Sequence, residues 1–287
     1  MVISPNDELA TRLRESDRGY YGWRVVLAAC LGVMVGFGSL FFAQTLISRA
    51  GWRAAYLGLG CLALLVGLPL TWRYVHERAE HHPLNSAPPP GMTWQQGLRT
   101  FPFWVIVAVL FVSSVSMNGT ITHLAALLTD RGVSPGGAAL SASLLGSSSL
   151  VGRLAVGWVL DRFFGARVAC AVYLLTAVGI LVLARADTLL MGCLAAGLIG
   201  VGAGGEADIT PYLLTRYFGL HAFSTLYGIT WTFYAIAGAI GPVILGRAFD
   251  SAGSYTSLLT LLAVAVALAA ALMLLLPRYT RPEQMEL

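Results

Sequence analysis

The sequence predicts an all-α integral membrane protein of about eight transmembrane helices. Three observations predict it. Of its 287 residues, 57% are hydrophobic and only 11% charged, where a water-facing chain carries roughly 25% charged residues. Mean hydropathy is +0.73. The apolar residues are gathered into eight runs near the 20-residue length that crosses a hydrocarbon core, with polar punctuation between them. Lipid offers a backbone no hydrogen bonds, so such runs must satisfy their own, and none shows the short alternation of a membrane barrel strand.

The leader, residues 1–22, is polar and reads as a cytoplasmic N-terminal tail. The first run, Trp23 to Leu46, comes after that leader and lacks a small-residue cleavage pattern, so it is expected to remain as a helix. The second run is Ala54 to Tyr74. Together they make a two-helix part, residues 23–75. The longest polar interval, 76–102, holds His81, His82 and Pro88-Pro89-Pro90-Gly91 and reads as a cytoplasmic linker. Within it, Thr93 to Thr100 suits a short amphipathic surface helix, with Pro102 limiting how smoothly it joins the next span. Six more runs fill 103–277: Phe103 to Leu128, Ala138 to Leu160, Val168 to Ala184, Leu189 to Leu214, Ser224 to Phe249 and Tyr255 to Leu276. Residues 278–287 form a second cytoplasmic tail.

All 18 basic residues are arginine, and their placement sets topology. An inside N-terminus puts twelve on the cytoplasmic side and five outside (Arg49, Arg53, Arg131, Arg185 and Arg247), leaving Arg153 within a span. That bias predicts both termini in the cytoplasm. The net charge of +4 is accounted for by topology, with no nucleic-acid partner expected. The four cysteines, Cys30, Cys61, Cys170 and Cys193, lie in apolar runs and read as core-filling residues. No nucleophile–base pair, metal-ligand cluster or phosphate-cradling loop is visible, so an enzyme is not expected, nor a cofactor or metal.

Ionisable groups inside a bilayer need a reason, and four stand out: His123, Arg153, Glu206 and Asp208. Arg153 lies eight residues before Asp161, and Asp208 eight before Arg216, which puts both roughly 12 Å in from the cytoplasmic boundary. Arg153 at that depth suits a carboxylate ligand, with Glu206 or Asp208 as the proton-coupling group competing for the same cation. The other reading is a permanent Arg153–Asp208 pair that locks two helices. Glu206 and Asp208, two apart, point about 160° away from each other. His123 and Asn118 complete the candidate substrate-binding set with Arg153, His123 about 10 Å below the outer surface. Gly146, Gly152, Gly157, Gly197 to Gly205, Gly228, Gly238 and Gly241 suit close helix crossings.

The string Gly157-Trp158-Val159-Leu160-Asp161-Arg162-Phe163-Phe164-Gly165-Ala166-Arg167, at a turn between spans, resembles the G-x-x-x-D-R loop of the major facilitator superfamily. Gly157 suits a close crossing there and Asp161 can face a helix N-terminus. The resemblance implies a gating loop made of Gly157, Asp161, Arg162, Gly165 and Arg167. Asp17-Arg18-Gly19-Tyr20-Tyr21-Gly22-Trp23 is similar to the entry motif of monocarboxylate transporters, and Thr93 to Trp104, Gly204 to Gly219 and Ser224 to Gly253 look like the bacterial monocarboxylate-porter and oxalate/formate-exchanger branch. In that branch Arg153 matches a substrate-coordinating arginine, and Ser149 stands where its acidic partner would be.

The family has twelve spans in two halves. Here the six runs after the linker resemble a complete C-terminal half, the first run resembles the first helix, and Ile47 to Tyr56 resembles the turn between the fifth and sixth. The second to fifth helices have no counterpart, with the seam near Gly36 to Phe42. The resemblance thus implies an incomplete bundle that carries small organic anions with protons in a bacterial inner membrane. Its alternative is a non-transporting membrane protein or interaction module whose uncovered inner face pairs with a second copy, a homo-oligomer.

Overall fold

A computed structural model describes residues 91–279 continuously, with scattered positions between Arg53 and Pro69. The chain divides into two compact units, Met1–Ser86 and Ala87–Leu287. The leader, the first apolar run, most of the second, the linker up to Pro90 and the tail from Thr280 lie outside the described residues, and with them the two-helix part and its seam.

The second unit begins with a short helix, α1 (Trp94–Leu98), held by a capping box. The Gln96 amide donates to Thr93 Oγ1 at 3.4 Å and the Thr93 amide donates to Gln96 Oε1 at 3.0 Å, two otherwise orphaned donors met reciprocally. Next come six helices long and apolar enough to cross a bilayer: α2 (Phe101–Asp130), α3 (Pro135–Leu160), α4 (Gly165–Ala184), α5 (Leu189–Phe218), α6 (Phe223–Ala252) and α7 (Thr256–Leu272), the last extended by a 3₁₀ turn, Met273–Leu275. Pro102 does not disturb the join. It occupies the first turn of α2, where the missing N–H leaves nothing unsatisfied. Helix α3 starts the same way, with Pro135 next to a Ser134 cap that accepts from the Gly137 amide at 3.2 Å. Gly253, at φ +63°, ends α6 in the left-handed conformation that glycine adopts without strain.

Packing pairs α3 with α5, α2 with α6, and α4 with both α5 and α7. Two crossings are set by glycine. A Cβ on Gly204 would collide with the Ser149 carbonyl oxygen and come within 3.0 Å of the Arg153 amide, while one on Gly152 would collide with the Val201 carbonyl. In the other crossing, a Cβ on Gly119 would sit 2.9 Å from the Gly241 carbonyl oxygen. Small residues let backbones touch, which is how helices associate without a hydrophobic drive. Among the described residues no neighbouring helix crosses closely at Gly157: no atom lies within 4 Å of where its Cβ would be, and the same holds at Gly146 and Gly228. Cys170 is buried as expected, whereas Cys61 is exposed.

Large apolar side chains on α3 and α6, among them Leu154, Trp158 and Val243, are left exposed by the other described helices. Several hydroxyls of α2 return to the preceding turn, as Ser116 does to the Val112 carbonyl and Thr120 to the Ser116 carbonyl.

One end of the bundle is tied by Arg131, the residue after α2. Its guanidinium donates to the carbonyls of Leu183 (2.8 Å), Ala184 (3.0 Å) and Ala186 (3.0 Å), and to Thr256 Oγ1 (3.0 Å). Leu183 and Ala184 belong to the last turn of α4, where carbonyls lack intrahelical partners, and Ala186 lies just beyond it. Burial draws the Arg131 pKa down and Asp187 opposes the shift. Arg131→Ala is expected to destabilise the folded protein by about 2 kcal/mol, because a cation's hydrogen bonds are lost and carbonyls are left open. Thermal unfolding in detergent would show it as a lowered midpoint.

Candidate functional site

Arg153 projects from α3 beside the Gly204 crossing, and Asp208 lies one turn beyond Gly204 on α5. The crossing therefore brings the two charges together. Arg153 Nε lies 4.0 Å from Asp208 Oδ1, with the side chains 36% and 39% exposed. A pair this long is an ion contact without a tight hydrogen bond, so among the described residues most of the guanidinium's five donors are left for a second acceptor.

Glu206 lies on the other side of α5, about 160° round the helix. It is buried at 3% exposure. Ser113 Oγ donates to its Oε2 at 3.4 Å, and its Oε1 has no partner among the described residues. The carboxyl lines a cavity of about 40 Å³ enclosed by Leu110 and Met117 of α2, Ala203, Ala207 and Thr210 of α5, and Tyr227, Trp231 and Tyr234 of α6. Asn118 belongs to the same region: its Nδ2 donates to Ser114 Oγ and the Ser114 carbonyl, each at 3.0 Å, and Ser114 Oγ donates to the Tyr234 carbonyl at 3.3 Å.

His123 sits elsewhere. Its Nε2 is 3.1 Å from the Pro242 carbonyl and its Nδ1 is 3.3 Å from Tyr255 Oη. A carbonyl can only accept, so Nε2 carries the hydrogen and Nδ1 accepts from the tyrosine hydroxyl. The imidazole links α2, α6 and the start of α7. The candidate residues thus fall into three places: Arg153 with Asp208, Glu206 with Asn118 nearby, and His123 apart from both.

The loop between α3 and α4 is held from two sides. Arg162 donates to the Trp158 carbonyl at 3.0 Å and lies 3.8 Å over the Trp158 ring. The first amide of α4, Gly165, donates to Tyr279 Oη at 3.1 Å. Asp161 is the residue that closes α3, its amide donating to the Gly157 carbonyl. Tyr279 also lies 4.8 Å from the Phe164 ring, and Tyr212 Oη donates to the Leu160 carbonyl at 3.1 Å. Burial raises the Tyr279 pKa above its ordinary value, so the hydroxyl stays protonated. Among the described residues no cluster suited to a metal ion occurs.

Sequence reasoning missed Ser113, the α6 aromatics and Tyr279. Tyr227, Trp231 and Tyr234 fall at i, i+4 and i+7, a spacing that signals one helix face. Ser113 carries no such signal.

A family model described as Major Facilitator Superfamily matches residues 14–242. Human monocarboxylate transporter 12 is 24% identical over 276 residues, covering 83% of this chain and 53% of its own length. Monocarboxylate transporter 13 of Bos taurus is 28% identical over 247 residues, covering 83% and 57%. The chain thus spans about half the length of the curated relatives it matches. Among solved structures, the E. coli fucose:proton symporter superposes with a TM-score of 0.55 at 19% identity, covering 78% of this chain and 55% of that one, a likeness of fold.

Proposed function

Since the chain belongs to the major facilitator superfamily, we propose that it is a secondary transporter of small organic anions, monocarboxylates foremost, coupled to protons. The observation that carries this reading is Arg153: an intramembrane cation whose one anionic neighbour among the described residues is 4.0 Å away and whose side chain is a third exposed. A solute carboxylate would take the fork of the guanidinium in bidentate fashion and displace Asp208. Asp208 would then lose its counter-charge, and proton uptake is the low-energy response of a carboxylate left alone in a membrane. Glu206, buried with one oxygen open, is the second proton-coupling candidate. Asn118 and His123 would line the route at other depths, and the loop of Gly157, Asp161, Arg162, Gly165 and Arg167 would gate it. Similarity to the monocarboxylate transporters and the fold of a proton symporter support the reading.

The placement belongs to the same proposal: a multi-pass protein of the bacterial inner membrane with both termini cytoplasmic, divided into tail 1–22, two-helix part 23–75, linker 76–102, six-helix half 103–277 and tail 278–287. A second reading, an interaction module that pairs with another copy, is favoured by the large apolar side chains that α3 and α6 leave exposed.

The test is uptake. Purified full-length protein in liposomes with an acidic exterior is expected to accumulate radiolabelled lactate, pyruvate or oxalate above the equilibrium level, and a protonophore should collapse it. No accumulation from a folded preparation would overturn the proposal. Mass measurement in nanodiscs would then decide for or against the pairing module.

A further inference from the structure

The cavity beside Glu206 has a chemistry that an anion does not fit. Its α6 wall is a continuous run of rings: Tyr227 and Trp231 meet edge to face with centroids 6.0 Å apart at 85°, and Trp231 and Tyr234 at 4.7 Å and 65°. Successive rings are turned steeply to one another and so offer walls in different directions. The remaining walls are the side chains of Leu110, Met117, Ala203 and Ala207. Thr210 has already committed its hydroxyl to the Glu206 carbonyl at 3.3 Å. Among the described residues, the one buried side-chain oxygen or nitrogen lacking a partner is Glu206 Oε1, and no arginine lines the space.

An anion placed there would meet a carboxyl and no cationic donor. A neutral apolar solute would leave Oε1 unsatisfied, which is costly in a buried site. An organic cation satisfies both features: a carboxylate neutralises it and aromatic faces attract it through their quadrupoles. We propose that the cavity between α2, α5 and α6 binds a small organic ammonium ion, its charge held by Glu206 Oε1 and by the rings of Tyr227, Trp231 and Tyr234. This goes beyond the anion reading, since Arg153 lies on the opposite side of α5 and takes no part. Trp231, on the cavity wall, is 44% exposed. The ammonium needs Glu206 ionised, so it competes with a proton for the same oxygen. The titratable groups facing Glu206 are Tyr173 from α4 and Tyr234 from α6, with Ser113 from α2 donating to it.

Equilibrium binding of carbon-14-labelled methylammonium, small enough for a cavity of about 40 Å³ and able to donate to Glu206 Oε1, to the purified full chain tests this. Saturable binding is expected that weakens as pH falls, that benzoate does not displace, and that Glu206→Gln and Trp231→Ala each weaken by roughly tenfold or more. Arg153→Ala should leave it unchanged. No saturable binding, displacement by benzoate, or binding indifferent to Glu206→Gln would overturn the proposal. Should Glu206→Gln fail to fold, Trp231→Ala decides alone, unaltered affinity being the overturning result. Loss of binding in Arg153→Ala would move the ammonium to the other side of α5 and also overturn it. Ammonium binding without lactate uptake would sink the anion reading and leave this one standing.

Discussion

Arg153→Ala is expected to abolish accumulation of carboxylate solutes while leaving the protein folded. Removing one partner of a hydrogen-bonded charge pair costs about 2–5 kcal/mol, a loss of roughly thirtyfold to several thousandfold in affinity. Arg153→Lys keeps the charge and loses the planar fork, so it should retain a measurable fraction of uptake. The structure makes the stability side of this experiment readable. At 4.0 Å with both side chains over a third exposed, the Arg153–Asp208 contact is worth at most about 1 kcal/mol to folding. A permanent lock would behave differently: Arg153→Ala and Asp208→Asn would both lower the unfolding midpoint by several degrees, and uptake would fall only with folded yield. Uptake rates normalised to folded protein, measured beside thermal unfolding for both variants, separate the two outcomes.

Gly204→Val is expected to prevent assembly of the bundle. The first added carbon would collide with the Ser149 carbonyl oxygen and press on the Arg153 amide, and neither is a side chain that can swing aside. Helices α3 and α5 would have to separate, opening the most extensive packing in the unit. Gly204→Ala alone should destabilise by about 1–3 kcal/mol, the usual range for overpacking, and the branched valine by more. Gly157→Ala supplies the contrast, since its Cβ enters open space among the described residues. Exchanging an unencumbered helical glycine for alanine stabilises by about 0.5–1 kcal/mol. Unfolding midpoints in detergent for the two alanine variants should therefore move in opposite directions. Equal midpoints would show that α3 and α5 do not cross at Gly204.

The spans were legible because a bilayer imposes one length and one composition on them. Phe103 to Leu128 became Phe101–Asp130 and Leu189 to Leu214 became Leu189–Phe218, since capping and the first polar turn extend a helix past its apolar stretch. The separation of Glu206 from Asp208 was also legible, because two residues turn a helix by about 200° whatever surrounds it. Which glycine crosses closely was not. Gly152 and Gly157 lie five apart on one helix and point about 140° away from each other, and the sequence does not say on which of those two sides α5 packs. Ser113 stands in a run with Ser114 and Ser116, of which one reaches Glu206, one the Tyr234 carbonyl and one its own preceding turn. Composition cannot distinguish three serines whose fates are decided by rotation about a helix axis.

The bond from the Gly165 amide to Tyr279 spans 114 positions of chain. Chains are made and begin to fold from the N-terminus. The turn between α3 and α4 therefore leaves the synthesis machinery with the start of its second helix uncapped, and only the passage of the final span delivers the tyrosine that completes it. Until then every earlier helix of the unit can already be inserted while this turn is unfinished. Completion of this turn is thus coupled to the synthesis of α7 and of the tyrosine that follows it.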